Sequence, residues 1–475
     1  MMLLSQAAKV LHGRLIGADI PFDAVSSDSR NLAHGDLFIA LRGDHFDGYE
    51  FISQAALKGA VAALVNANSV KKQKTVRNKG KLAAVIPILA VDDTRLALGQ
   101  LAAYWRKQFD IPLVAITGSN GKTTVKEMLA GILRVAAGNE AAVLATSGNL
   151  NNDIGMPLTL LKMGPQHRYA VIEMGMNHPG EIDYLTRIAC PNMALVNNAG
   201  NAHLEGLGSI EAVARAKGEI FVGLQANGTA IINADDEYAP LWRTLVGAHP
   251  LLEFGLSPQA DVSGRWHSQK NGLRIEMSTP QGNFIADLKV PGVHNVRNAL
   301  AATAAAIGLN IPLETIAAGL EKFTGVSGRM QFKPARHGAS LIDDTYNANP
   351  ASLSAAIGVL ASAAGKRVLV LGDMGELGEK AASLHAETGR EARHAGIERL
   401  LALGTLSAIS AREFGSGGRH FESIEALQEA LEKELDRNTT VLVKGSRFMK
   451  MERVVKYLEA GEINGQPRLR EESCS

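Results

Sequence analysis

Only two cysteines, Cys190 and Cys474, occur in 475 residues. They lie far apart and lack metal-ligand spacing, which argues against both a disulfide framework and a zinc site and fits a reducing, cytoplasmic setting. Charge of one sign is not in excess either. Lys+Arg 49 against Asp+Glu 48 leaves a net charge of +1, without the basic footprint of a nucleic-acid binder. No stretch approaches the roughly 18 apolar residues of a membrane span. The opening "MMLLSQAAKVLHGRL" has no basic n-region, and Lys9 interrupts its apolar run, so it does not read as a signal peptide. There is no internal repeat and no G-x-G-x-x-G fingerprint.

What is present is length and alternation. Roughly 150 residues per domain predicts about three domains. Apolar runs rich in Val, Ile, Leu and Ala alternate with helical patterns, the signature of βαβ units, so the chain is α/β. A small N-terminal α/β domain, residues 1–91, carries "DLFIAL" and "AALV" around a helix-like "YEFISQAALKGA". It ends beyond "SVKKQKTVRNKGK", Ser69 to Lys81, which reads as an exposed basic loop. A central domain, residues 92–327, is expected to hold a mostly parallel sheet of the phosphate-loop type. The alternating "GLRIEMST" and "NFIADLKV" would add antiparallel strands, and "NVRNALAATAAAIGL" a helix. "TGVSGRMQF" reads as a hinge into a Rossmann-like C-terminal domain, residues 328–475, where Pro350 suits a helix start.

The chemistry concentrates where strands break into polar loops, because ligands of open α/β sheets bind beyond the carboxyl ends of the strands. "LVAITGSNGKTTVKEMLAGIL" is strand, loop and helix, yet the usual G-x-x-x-x-G-K-[ST] pattern is incomplete: Ile116 stands where its first glycine would be. Gly118 and Gly121 would let backbone approach an anion at the helix N-terminus, with Lys122 on the β/γ-phosphates and Thr123 toward Mg²⁺. The plainer alternative is a turn in which Ser119 and Asn120 cap the helix and Lys122 is solvated. Glu173, ending "YAVIE", is a natural Mg²⁺ ligand or a strand-end acid paired with an arginine. His203 after "NNAGNA" and Lys217 in "ARAKGEIF" are by themselves ordinary structural or solvated residues, and Asn233 and Asp236 ordinary turn residues. Asp343 and Asp344 either orient a ligand or cap the turn that follows. From the residues alone the reading reaches a Mg²⁺-dependent enzyme using ATP.

The motifs as a set go further. "SSDSR", "GDLFIALRGDHFDGYEF", "TGSNGKTT", "NLNNDIGMP", "EMG", "NNAGNAHLE", "ARAKGEIF", "GVHNVRNALAA", "SGRMQF", "DDTYNANP", "GDMGELG" and "VKGSR" together resemble the Mur ligase family, ATP-dependent amide-forming enzymes of peptidoglycan precursor assembly, over nearly the whole chain. That family uses the shortened G-x-x-G-K-[ST] loop, so the missing glycine is expected. Within it, "NLNNDIGMP", "DDTYNANP" and "GDMGELG" resemble the branch joining D-alanyl-D-alanine to UDP-N-acetylmuramoyl-tripeptide. Thr345 stands where that branch often has Ser, and Tyr49 where it often has His.

The resemblance implies an acyl-phosphate route, ATP and Mg²⁺ as cofactors, and a cytoplasmic monomer serving cell-wall growth and division. It implies ATP contacts from Gly118, Ser119, Asn120, Gly121, Lys122, Thr123, Thr124, Asn295, Asn298, Arg329 and Asp344. Metal would be held by Thr123, Glu173, His203 and a carbamylated Lys217, with Lys122, His203 and Lys217 catalytic. The UDP substrate would meet Ser27, Ser29, Arg30, Asp47, Gly48, Asn149, Asn151 and Asn152. The alternatives are a sibling adding a single amino acid, a folylpolyglutamate synthase-like ligase, and an ATP-driven binding module without covalent chemistry.

Overall fold

A computed structural model describes residues 1–43, 46–75, 86–201, 204–269 and 272–459. Its first sheet has five strands in the order Arg14–Ile16, Ile88–Val91, Ala62–Asn66, Asp36–Ile39, Ala24–Ser26. Pairing is parallel except where Arg14–Ile16 runs against Ile88–Val91. Ser69 to Lys81 differs from expectation. Residues Ala67–Thr75 form a helix after the strand Ala62–Asn66, and Val70 anchors it in the core; residues 76–81 lie outside the described part. The charge run that suggested a loop begins on that helix, where Lys71 is exposed.

The central sheet is wholly parallel, in the order Leu251–Phe254, Thr229–Asn233, Met193–Val196, Leu113–Thr117, Tyr169–Glu173, Val143–Ala145. Strands buried on both faces read as continuous apolar runs, which is why "LVAIT" lacks a polar alternation. Leu113 and Ala115 face a core shared with the helices Thr94–Arg106, Gly155–Leu160 and Glu181–Ala189. Val114 and Ile116 face Lys122–Ala137 and Val293–Gly308 on the other side. The alternating segments form a separate three-stranded antiparallel sheet, Ser263–Gln269, Gly272–Thr279 and Gly282–Leu288. Its apolar face, including Leu273, Ile275 and Met277, closes the second core.

A last sheet, in the order Gln331–Pro334, Ser340–Asp344, Thr439–Lys444, Lys366–Gly372, Arg399–Leu403, Gly418–Phe421, is parallel but for its first strand. Pro350 opens the helix Pro350–Ala361, capped by a reciprocal Asn349–Ser352 pair. Just before this last sheet the chain bends through Gly325 and Gly328, where Arg329 N–H donates to Val326 C=O at 3.0 Å.

Candidate active site

The strand Leu113–Thr117 is where the central sheet changes direction: the chain adds strands first on one side of it, then on the other. Ligands gather at such switch points, and the loop Gly118–Gly121 emerges there into the helix Lys122–Ala137. Gly121 takes the N-cap position at φ 78°, with no side-chain cap. Ser119 and Asn120 therefore do not cap the helix. The first helical N–H groups have no intrahelical acceptor and point out of the N-terminus, an arrangement suited to phosphate.

The loop is braced from the neighbouring strand end. Asn198 Oδ1 accepts from Asn120 N–H at 2.8 Å, and Asn198 C=O from Ser119 N–H at 3.0 Å. Asn197 Nδ2 donates to Asn120 C=O at 2.9 Å and to Asn298 Oδ1 at 3.1 Å. Asn298 in turn reaches Asn295 Oδ1 at 3.3 Å. A Cβ at Gly121 would stand 2.4 Å from Asn298 Oδ1, so this backbone position admits only glycine without rearrangement. Lys122 is not a solvated surface lysine. Its Nζ folds back onto Gly118 C=O at 2.6 Å, closing the loop into a ring. Burial lowers its pKa; Glu173 and Glu376 act to raise it and Arg329 to lower it.

Behind the loop, Thr123 Oγ1 donates to Glu173 Oε2 at 2.8 Å, and Asn151 Nδ2 to Glu173 Oε1 at 2.7 Å. The carboxylate is thus shared between a hydroxyl and a carboxamide, a set of hard oxygen donors. Among the described residues no three His, Cys, Asp or Glu side chains converge as a metal cluster. Mg²⁺ is commonly held by one or two carboxylates with phosphate and water, so the donors present fit it. Fully buried Lys126, one turn along the helix, bonds Glu127 and donates to Thr146 C=O at 2.7 Å. Thr146 Oγ1 accepts from Glu173 N–H at 2.9 Å.

The third domain supplies the facing wall of a cleft of about 1490 Å³. Asp344, ending its strand, accepts from Met330 N–H at 3.1 Å and from Lys444. Asp343 caps the turn instead, accepting from Thr345 Oγ1 at 2.7 Å. The Arg329 guanidinium lies 4.0 Å from the Tyr346 ring centre. Arg329 Nε and Asn197 Oδ1 are buried without a hydrogen-bond partner among the described residues, polar atoms on the cleft wall suited to a polar ligand. Asn349 Nδ2 donates to Asn120 Oδ1 at 2.8 Å, tying this wall to the phosphate loop.

Of the residues singled out in the sequence, Ser119, Asn120, Gly121, Lys122, Thr124, Asn149, Asn151, Asn152, Glu173, Asn295, Asn298, Arg329 and Asp344 line this one cleft. Gly118 and Thr123 sit just behind it in the same loop. Lys217 does not line it: the side chain is 1% exposed on the helix Ile210–Gly218. Burial pushes its pKa well below the ordinary lysine value, and the charge of Lys122 pushes the same way. His203 lies outside the described residues. Ser27, Ser29, Arg30, Asp47 and Gly48 are not brought to the cleft. Arg30 pairs with Asp28 at 2.8 Å, and Asp47 accepts from Tyr49 N–H at 3.0 Å and Ser69 Oγ at 2.9 Å, so their visible partners belong to the first domain. Asn197, Asn198, Asn349, Lys126 and Thr146 were missed as single residues. The asparagines stood inside motifs already noted, but asparagine in a loop reads as a turn former.

Residues 21–106, 116–306 and 328–447 match in turn the Mur ligase family catalytic domain, the Mur ligase middle domain and the Mur ligase glutamate ligase domain. The chain is 44% identical over 462 residues, 96% of its length and 98% of the relative's, to the UDP-N-acetylmuramoyl-tripeptide–D-alanyl-D-alanine ligase of Escherichia coli. The chain belongs to the Mur ligase family. It is 36% identical over 452 residues to the similarly named enzyme of Bacillus subtilis, covering 91% of this chain and 92% of that one. Among solved structures, MurF from Acinetobacter baumannii superposes with a TM-score of 0.85 at 35% identity, covering 95% of this chain and 97% of that one. The MurF ligase of Thermotoga maritima, solved with ADP, gives 0.78 at 28% identity, covering 92% and 97%. As a Mur ligase the chain is an ATP-dependent carbon–nitrogen ligase of peptidoglycan precursor synthesis.

Proposed function

We propose that this ligase joins D-alanyl-D-alanine to UDP-N-acetylmuramoyl-tripeptide, with ATP cleaved to ADP and phosphate. The observation that carries the reading is the convergence on one cleft of a phosphate loop, a shared hydroxyl–carboxylate pair and polar groups from a separate domain, in a chain so similar to ligases of that name. A carboxylate is a poor electrophile with a poor leaving group, and phosphorylation corrects both. Phosphoryl transfer itself needs positioning and charge neutralisation.

The cleft geometry supports roles for its lining residues, and the family resemblance suggests those of Lys217 and His203. Lys122 and the N–H groups after Gly121 hold the β- and γ-phosphates, with Asn295, Asn298, Arg329 and Asp344 around the nucleotide. Thr123 and Glu173 would hold Mg²⁺, which when bound would offset the charge of the phosphates. By the family resemblance, Lys217 as a carbamate and His203 would supply a second set of metal donors. The buried amine of Lys217 favours the neutral form that CO₂ addition requires. The cleft extends to Asp93 and Arg95, where the first and second domains join, consistent with a substrate entering from the first domain. Ser27, Ser29, Arg30, Asp47 and Gly48 would then take its UDP end and Asn149, Asn151 and Asn152 its middle. The domains would divide as 1–91, 92–327 and 328–475, acting as a cytoplasmic monomer.

The test is product mass. Purified protein with ATP, Mg²⁺, D-alanyl-D-alanine and UDP-tripeptide ending in diaminopimelate or lysine should yield the UDP-pentapeptide. Phosphate should appear only when carboxylate and amine substrates are both present. Ligation of a single amino acid in place of the dipeptide would overturn the reading.

A further inference from the structure

One fully buried charge on the helix that follows the phosphate loop has no part in the scheme above. Lys126 stands one turn beyond Thr123 on the helix Lys122–Ala137, with its side chain 1% exposed. An ammonium is costly to bury unless charge and hydrogen bonds compensate it. Its Nζ meets the Glu127 carboxylate and donates to Thr146 C=O at 2.7 Å.

That carbonyl sits where the edge strand Val143–Ala145 leaves the central sheet. The register pairs Tyr169 with Val143, Ala170 with Leu144 and Val171 with Ala145, and Thr146 N–H donates to Val171 C=O at 3.1 Å. In an evenly spaced parallel ladder the next bond would run from Glu173 N–H to Thr146 C=O. Instead Glu173 N–H donates to Thr146 Oγ1 at 2.9 Å, and the released carbonyl is taken by Lys126. The hydroxyl thus replaces one ladder bond while the lysine holds the carbonyl off the sheet. The chain turns away at this point, and Leu150 N–H donates to Ser147 C=O at 3.2 Å. Asn151 arrives with its Nδ2 donating to Glu173 Oε1 at 2.7 Å and its C=O accepting from Gly175 N–H at 2.8 Å. The other oxygen of the same carboxylate, Oε2, accepts from Thr123 Oγ1.

We propose that Lys126 is a positioning residue for the metal-holding carboxylate of Glu173. Its ammonium fixes where the edge strand ends, which sets the reach of Asn151 and with it the orientation of Glu173. With a neutral side chain at position 126, Thr146 C=O is free to take the Glu173 N–H. The strand then gains a step, and Asn151 is drawn off the carboxylate. Groups that orient a ligating carboxylate tune metal affinity about 10–100-fold. Lys126 acts only through Thr146 and Asn151; its own printed partners, Glu127 and Thr146, leave it no contact with phosphate or metal.

This role rests on the Mg²⁺ site proposed above, and Glu173→Gln separates the two. The Mg²⁺ requirement is read in the full chain in two ways: as the concentration giving half-maximal ligation, and by calorimetry as the gain in ADP affinity that Mg²⁺ confers. In Lys126→Met, half-maximal Mg²⁺ should rise about 10-fold or more and the gain in ADP affinity should shrink to match, while ADP affinity without Mg²⁺ stays within about two-fold of the parent. Thr146→Val should behave alike, because it leaves the Glu173 N–H without its acceptor, and Thr146→Ser should restore the parent values. A lysine kept only for the fold would lower the melting temperature and leave both Mg²⁺ readings in place, which would overturn the assignment. Where Lys126→Met does not fold, the Thr146 pair decides, and equal Mg²⁺ readings in Thr146→Val and Thr146→Ser overturn it. Unchanged Mg²⁺ readings in Glu173→Gln would remove the Mg²⁺ site itself, whereas a shift in Glu173→Gln alone removes only the role of Lys126.

Discussion

Lys122 and Lys217 are opposites in how they are held. Lys122 is tied to Gly118 C=O at 2.6 Å and lines the cleft. Lys122→Ala removes the cation without touching a core, so ligation should drop at least about 100-fold while the melting temperature holds, as calorimetry would show. Lys217 is fully enclosed, and among the described residues its ammonium has neither a hydrogen bond nor an ion pair. With its folded pKa depressed below 10.5, the unfolded chain binds the proton more readily, and stability rises with pH between the two values. In CO₂-free buffer Lys217→Met should therefore melt higher than the parent at neutral pH. The gap should close as pH approaches 10.5, although the variant is inactive. Lys217→Arg should also be inactive, because a guanidinium cannot become a carbamate. An active Lys217→Arg enzyme would remove the metal role.

At the scale of elements, the loop Gly118–Gly121 is braced by Asn197 and Asn198 beyond the neighbouring strand, and Asn197 also bonds Asn298 of the helix Val293–Gly308. Gly121→Ala tests that bracing: φ 78° is strained for alanine, and its Cβ would meet Asn298 Oδ1 at 2.4 Å. The cost should be about 1–3 kcal/mol, read by denaturant unfolding, with nucleotide affinity falling at the same time. Normal nucleotide binding by this variant would mean that the loop gives way easily. The helix Ala67–Thr75 carries the opposite lesson. Its sequence suggested a loop because charge runs are usually solvated, yet Val70 packs into the core of the first domain and the segment is a helix.

At the scale of the molecule, the third domain meets the phosphate loop through Asn349 and Asn120 at 2.8 Å, and Gly325 and Gly328 provide the bend between the domains. Ligands that contact both walls should favour this apposition by their differential affinity. Scattering should show contraction when a non-hydrolysable ATP analogue, Mg²⁺ and UDP-tripeptide are added together. Asn120→Ala removes the cross-domain bond but leaves the Asn349 helix cap intact, and should need more ligand for the same contraction. An unchanged radius in the parent would argue against closure as part of the cycle.

Local rules carried much of this molecule. Apolar runs ending in Gly, Asn or acid located the strands and the end of each sheet where ligands gather, because burial on both faces demands uninterrupted apolar residues and emerging backbone demands polar ones. Thus Gly118, Gly121, Lys122, Thr123 and Glu173 were legible from chain order alone. Tertiary structure decided what chain order cannot encode: which loops become neighbours, and which polar side chains lose water. Asn349 lies 229 positions from Asn120, yet the two share a hydrogen bond. Lys217 reads like any helical lysine until packing buries its amine. Burial and long-range pairing depend on the whole chain at once, so no local pattern signals them.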